Sequence, residues 1–129
     1  MVNARGADVY RRTEVQSSSP MELVVMLYDG AIKFTLEARE AIARNDVRAR
    51  TTAVSRALAI IAELQNTLNM KEGGDIAREL DRLYPYMSTR LLDVTAKADD
   101  KAAEEVLKLL RMLREAWSQI VATSAAAPR

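Results

Sequence analysis

The feature that most constrains this chain is a pattern that occurs four times: a long stretch with apolar residues three or four positions apart, followed by a joint of only a few residues. At 100° per residue, such positions gather on one side of a helix. The first stretch spans about Pro20 to Arg44 and stops at Asn45. The second spans about Val47 to Asn69, with Val47, Val54, Leu58, Ile61, Leu64 and Leu68 in phase. The third, about Ile76 to Ala98, aligns Ile76, Leu80, Leu83, Tyr84, Met87, Leu91 and Val94. The fourth follows Asp99 and Asp100 and runs to about Ala122 through Val106, Leu109, Leu110, Leu113, Trp117, Ile120 and Val121. Joints this short cannot cross the length of a bundle, so consecutive helices must lie antiparallel. The expected fold is all-α: an antiparallel up-down four-helix bundle over residues 19–122, with an extended, flexible N-terminal arm (1–18) and a disordered C-terminal tail (123–129).

Local signals agree with these limits. Ser19 can cap the first helix, Pro20 fits its first position, and Glu22 can close a capping box. Asp46 and Asp75 are placed to cap the second and third helices. The Gly73-Gly74 pair is the strongest break in the chain. Acids come early in the fourth helix (Asp100, Glu104, Glu105) and bases late (Lys108, Arg111, Arg114), as the helix dipole favours. Pro85 is the one local conflict. Inside a helix it removes the amide that would bond the Asp81 carbonyl, at a cost of about 3 kcal/mol. Because the apolar phase survives from Ile76 to Val94, the expectation is a kinked but continuous helix.

Composition excludes several classes of function. Nineteen basic and eighteen acidic residues nearly cancel, and no segment gathers a basic stripe, so nothing draws in a nucleic-acid backbone. The absence of cysteine removes disulfides, thiolate metal sites and a cysteine nucleophile, and suits a reducing compartment. The absence of histidine removes the commonest general base and the usual ligand of helical di-metal sites. Glu37, Glu40, Glu63, Glu79 and Asp93 fall off the apolar stripes, as solvated charges do, so neither a metal site, a cofactor nor catalysis is expected. Gly73-Gly74 lacks the spacing of a phosphate-binding loop. Met1 to Tyr10 lacks the apolar core of a signal peptide, and the apolar run Leu23 to Tyr28 is far too short to span a membrane. A cytoplasmic protein that does not enter the membrane is expected.

The first helix has more apolar surface than one facing groove requires. With Val24 at 0°, Leu27, Tyr28, Ala31, Phe34 and Ile42 fall within about 80°, whereas Val25, Ile32 and Leu36 cluster near 100°. In the second helix Ala53, Ile60 and Leu64 extend one edge. Two readings are open. A bundle helix touches two neighbours and needs a broad stripe; or one flank is an open groove that accepts a partner's amphipathic helix or a second copy of the chain. Spacing alone does not separate them.

The residues also carry a family likeness. The run Ser19-Pro20-Met21-Glu22-Leu23-Val24-Val25-Met26-Leu27-Tyr28-Asp29-Gly30-Ala31 resembles the first-helix signature of the FliS family of flagellar secretion chaperones. The likeness continues through Gly73-Gly74-Asp75-Ile76-Ala77, Leu80, Leu83-Tyr84, Tyr86-Met87, Arg90-Leu91 and Leu113-Arg114-Glu115-Ala116-Trp117. Pro85 departs from it, standing where the family usually has a polar residue between two tyrosines. The resemblance implies a bacterial cytosolic chaperone that binds the disordered C-terminal segment of flagellin. It would prevent premature polymerisation and deliver flagellin to the type III export apparatus, with the export gate and a flagellar regulator as further partners. It also implies an arm, carrying Tyr10, over part of the flagellin site. The partner surface is expected on Tyr10, on Val25, Ile32 and Leu36, on Ile60 and Leu64, and on Leu80, Tyr84 and Met87. A monomer or weak homodimer is expected, and the alternative function is a self-associating bundle serving as a structural adaptor.

Overall fold

The computed structural model describes residues 19–68 and 70–126. The expected arm with Tyr10, and the last residues of the expected tail, lie outside the described residues. Four helices follow in order: α1 (Pro20–Ala43), α2 (Val47–Asn66), α3 (Met70–Lys97) and α4 (Asp100–Ala126). Among the described residues the fold is all-α.

The ends of the helices follow from their capping chemistry. The Glu22 amide donates to the Ser19 hydroxyl at 3.2 Å, with Pro20 in the first turn. Asn45 then takes a left-handed φ of 56°, a conformation asparagine tolerates, and turns the chain. Asp46 accepts from the Ala49 amide at 3.0 Å and starts α2. Asp99 does the same for Ala102 at 3.0 Å and starts α4.

Three boundaries differ from expectation. Helix α2 stops at Asn66 rather than Asn69, where Thr67 donates its hydroxyl to the Leu64 carbonyl at 2.7 Å and competes with helix continuation. Helix α3 begins at Met70, ahead of the glycines, and the break is carried by Gly74 alone. Its φ of 56° and ψ of −131° suit only glycine. Beyond it, the Asp75 carboxylate accepts from Arg78 rather than serving as the expected cap. Helix α4 continues to Ala126, past the expected end at Ala122, through a stretch where alanines favour the helix. At Pro85, as expected, α3 runs through without interruption.

Cross-links between helices fix their directions. Gly30 meets Ile60, and Phe34 lies under the Arg56 guanidinium, so α2 descends as α1 rises. Gln65 bonds Asp81 and Arg50 bonds the Thr95 carbonyl, so α3 runs against α2. Asp29 pairs with Arg114 and Arg39 with Asp100, so α4 runs against α1. The result is an antiparallel square in which each helix packs chiefly on two neighbours, and α1 with α4 closes the ring.

The core is filled mainly by Tyr28, Val54, Ile61, Leu64, Tyr84, Met87, Leu91, Val94, Val106 and Leu110. Its contacts are uneven, being most extensive between α1 and α2 and sparsest between α3 and α4. Small residues explain the first extreme. The buried faces of α1 and α2 present Ala31, Ala38, Ala41, Ala53 and Ala57. At Gly30 an added Cβ would stand 2.9 Å from the Ile60 Cδ1. Small side chains let the two backbones approach closely.

Candidate functional site

The broad stripes of α1 and α2 serve two neighbours each. On α1 the positions near 100° share a side with Asp29 and Arg39, which pair with Arg114 and Asp100 of α4. Val25, Ile32 and Leu36 therefore lie along the α1–α4 seam, each partly buried, with Ile32 packed on the core. Ile60 is partly buried against Gly30 in the α1–α2 seam.

Four other residues expected on the partner surface lie inside the bundle. Leu64 and Met87 are fully buried, Tyr84 is nearly so, and Leu80 is 6% exposed. Leu80, Tyr84 and Met87 are central on the α3 stripe, and Leu64 lies on the edge of the α2 stripe that its two neighbours cover, so a partner does not reach Leu64, Met87 or Tyr84 unless helices separate. Leu80 is the exception, because it forms the floor of a groove.

That groove gathers uncovered apolar side chains from two helices, whereas the exposed Val47 and Leu92 lie outside it. It runs between the first half of α3 and the later part of α4, has a volume of about 440 Å³, and is lined by Ile76, Leu80, Leu83, Tyr86 and Leu113. Ile76 was expected in the core and is instead 72% exposed. It shares its helical phase with the buried Met87 and Val94, but stands just after Gly74 at the end of the bundle, where the layers stop. Tyr86 is 45% exposed, and Met112 and Ile120 leave further apolar surface on α4. Periodicity missed this site because it reports phase around a helix and carries no information about where along the helix its neighbours end.

Polar groups surround the groove without converging in it. On its rim Arg82 pairs with Glu79 at 2.7 Å. Farther along α3, the Tyr86 hydroxyl donates to Glu105 at 2.8 Å and the Arg90 Nε donates to the same carboxylate at 2.7 Å. These bonds, that of Arg90 first, hold the Glu105 carboxyl below its ordinary range, while the bond to Glu105 raises Tyr86. Behind the groove, the Tyr28 and Tyr84 hydroxyls hydrogen bond at 2.5 Å inside the bundle, and Trp117 packs against the same core. Burial is the main cause that raises both phenols above their ordinary range, so they stay neutral and serve as a fixed link between α1 and α3.

Among the described residues, no cluster of acidic side chains could hold a metal ion, and no helix is long and apolar enough to cross a membrane. A second crevice, of about 490 Å³, lies between the end of α1 and the start of α2. Its Glu37, Glu40 and Asp46 face Arg44, Arg48 and Arg56, a mixed-sign lining that favours no single ligand charge. The α3–α4 groove, in contrast, has what apolar side chains on a helix need: an apolar floor, an open top and a polar rim.

Comparison with known proteins gives one consistent result. Residues 1–124 match the family described as "Flagellar protein FliS". The chain is 40% identical over 125 residues to the flagellar secretion chaperone FliS of Salmonella typhimurium, covering 93% of each chain. It is 32% identical over 120 residues to the FliS chaperone of Campylobacter jejuni, covering 93% of this chain and 94% of that one. To the FliS chaperone of Vibrio cholerae it is 32% identical over 108 residues, covering 84% and 79%.

Proposed function

The chain belongs to the FliS family of flagellar proteins, whose curated relatives are named flagellar secretion chaperones, and on that premise we propose that it binds the C-terminal segment of flagellin in the bacterial cytosol. Holding that segment keeps flagellin from polymerising early and delivers it to the flagellar type III export apparatus. Residues 19–122 act as the binding bundle, and residues 1–18 as an arm. The observation that carries the reading is Ile76, a residue in core phase that lies open beside Leu83, Tyr86 and Leu113.

An unfolded segment can supply what this surface lacks. On forming a helix it would project apolar side chains three or four residues apart onto the groove, burying its own apolar face and the exposed one together. Ordering the segment costs entropy, offset by the area buried, so binding should be accompanied by a gain of helix and a negative heat-capacity change. Val25 and Leu36, partly open on the α1–α4 seam, are where the rest of a longer segment would continue.

Calorimetric titration of the full chain with a peptide of the cognate flagellin C-terminus tests the reading. Saturable binding at micromolar concentration, with helicity rising in circular dichroism, is expected. No heat and no added helix would overturn it. A chain that forms a stable dimer on dilution and refuses the peptide would favour the self-associating adaptor instead.

A further inference from the structure

Helix α3 is held unequally along its length. After Pro85, Tyr86 and Arg90 bond Glu105 of α4, Arg90 also reaches Asp99, and the Thr95 carbonyl accepts from Arg50 of α2. Tyr84, immediately before the proline, is anchored to Tyr28. Among the described residues from Asp75 to Leu83, the one polar tie to another helix is Gln65 to Asp81, at 3.3 Å. The pairs Asp75–Arg78 and Glu79–Arg82 stay within the segment. Only Ala77 and Leu80 are buried there, while Ile76 is open.

The helix is broken on one side of this segment and weakened on the other. At one end Gly74 has non-helical angles. At the other, Pro85 offers the Asp81 carbonyl no amide and crowds it, so the helix loses a bond and gains a bending point where the anchoring begins. A short helical piece between a backbone break and a missing hydrogen bond, beside the sparsest seam of the bundle, has the construction of a flap.

We propose that residues 75–83 are a hinged flap, pivoting at Tyr84-Pro85, whose outward swing from α4 sets the width of the groove. The flap opens in the free chain. Resting on the reading that flagellin's segment docks there, it widens the groove to admit that segment and closes on it. The Tyr84 anchor and the Glu105 clasp keep the rest of α3 in place, so opening does not unravel the core.

Hydrogen exchange of the full free chain tests the flap without any client. Amides of 77–83 should exchange about 100-fold faster than those of 88–94. Pro85→Ala restores the bond to Asp81 and should slow 77–83 at least tenfold while leaving 88–94 unchanged. Equal protection on both sides of Pro85 in the parent chain, or no local slowing in P85A, would overturn the proposal. Should P85A fail to fold, the parent comparison alone decides it. Titration with the flagellin peptide separates the two claims. If the flap exists and gates the groove, P85A binds the peptide severalfold more slowly than the parent. Equal association rates overturn the gating. If the peptide does not bind the parent at all, the docking reading fails, whereas the exchange pattern still decides whether the flap exists.

Discussion

The two halves of the bundle are built from different materials. The α1–α2 side is packed along its middle by alanines and by the tight approach of Gly30 to Ile60, and opens at one end as a crevice of mixed charge. The α3–α4 side has larger side chains, the sparsest contact and a groove with Ile76 open at its end. One half therefore supplies stability and the other leaves apolar surface unsatisfied. The general lesson is that a wide apolar stripe does not show an open face, because a helix with two neighbours needs one.

Substitutions that reverse the two kinds of packing test this contrast most severely. Ala38→Leu overfills a fully buried position and should destabilise the fold by about 1–3 kcal/mol in denaturant unfolding. Ile76→Ala should stay within about 0.5 kcal/mol, as exposed substitutions do. Comparable losses from the two variants would erase the distinction between the halves.

The link that ties the halves together comes next in size. Tyr28→Phe removes one partner of the buried hydroxyl pair and should cost about 1–3 kcal/mol, because the Tyr84 hydroxyl is left unsatisfied inside the bundle. Tyr84→Phe should cost a similar amount, because it leaves the Tyr28 hydroxyl equally unsatisfied. A double-mutant cycle measured by chemical unfolding would show coupling between the two phenols, and additive losses would mean the hydroxyl pair does not join α1 to α3.

The smallest effect concerns the α1–α4 rim. Arg39 donates to both Asp100 oxygens, at 2.9 and 3.0 Å, and holds that carboxyl below its ordinary range. A lowered folded pKa adds stability above the unfolded value of about 4, and that contribution disappears as pH falls through the folded value. Asp100→Asn should thus cost somewhat less than 1 kcal/mol at neutral pH, since the pair is well solvated. The difference from the parent should shrink below about pH 4. A pH-independent difference would point to a packing effect instead.

Much of this architecture is legible in the sequence because its signals are local. Ser19 and Asp46 cap where the sequence places them, and Asp99 takes, in the next joint along, the capping role expected of Asp75. The phase of Leu80, Tyr84, Met87, Leu91 and Val94 marks the buried side of α3 despite Pro85. Family membership is carried by blocks of residues in register. The surface was harder to read, because exposure depends on neighbours that the spacing of one helix does not contain. Val25, Ile32 and Leu36 look surplus until α4 is set beside them. Ile76 looks buried until the end of the bundle is located.

The most direct measurement is a matched pair of peptide titrations with the flagellin C-terminal segment. One uses a chain carrying Ile76→Ser with Leu113→Ser on the α3–α4 groove, the other a chain carrying Val25→Ser with Leu36→Ser on the α1–α4 seam. With both folds checked by circular dichroism, the groove variant should lose at least tenfold in affinity and the seam variant severalfold less, since a few anchors in an apolar groove dominate helix docking. Parent-like binding by the groove variant together with failure of the seam variant would place the client on the surface that the periodicity of α1 first suggested, and would contradict the assignment to the α3–α4 groove.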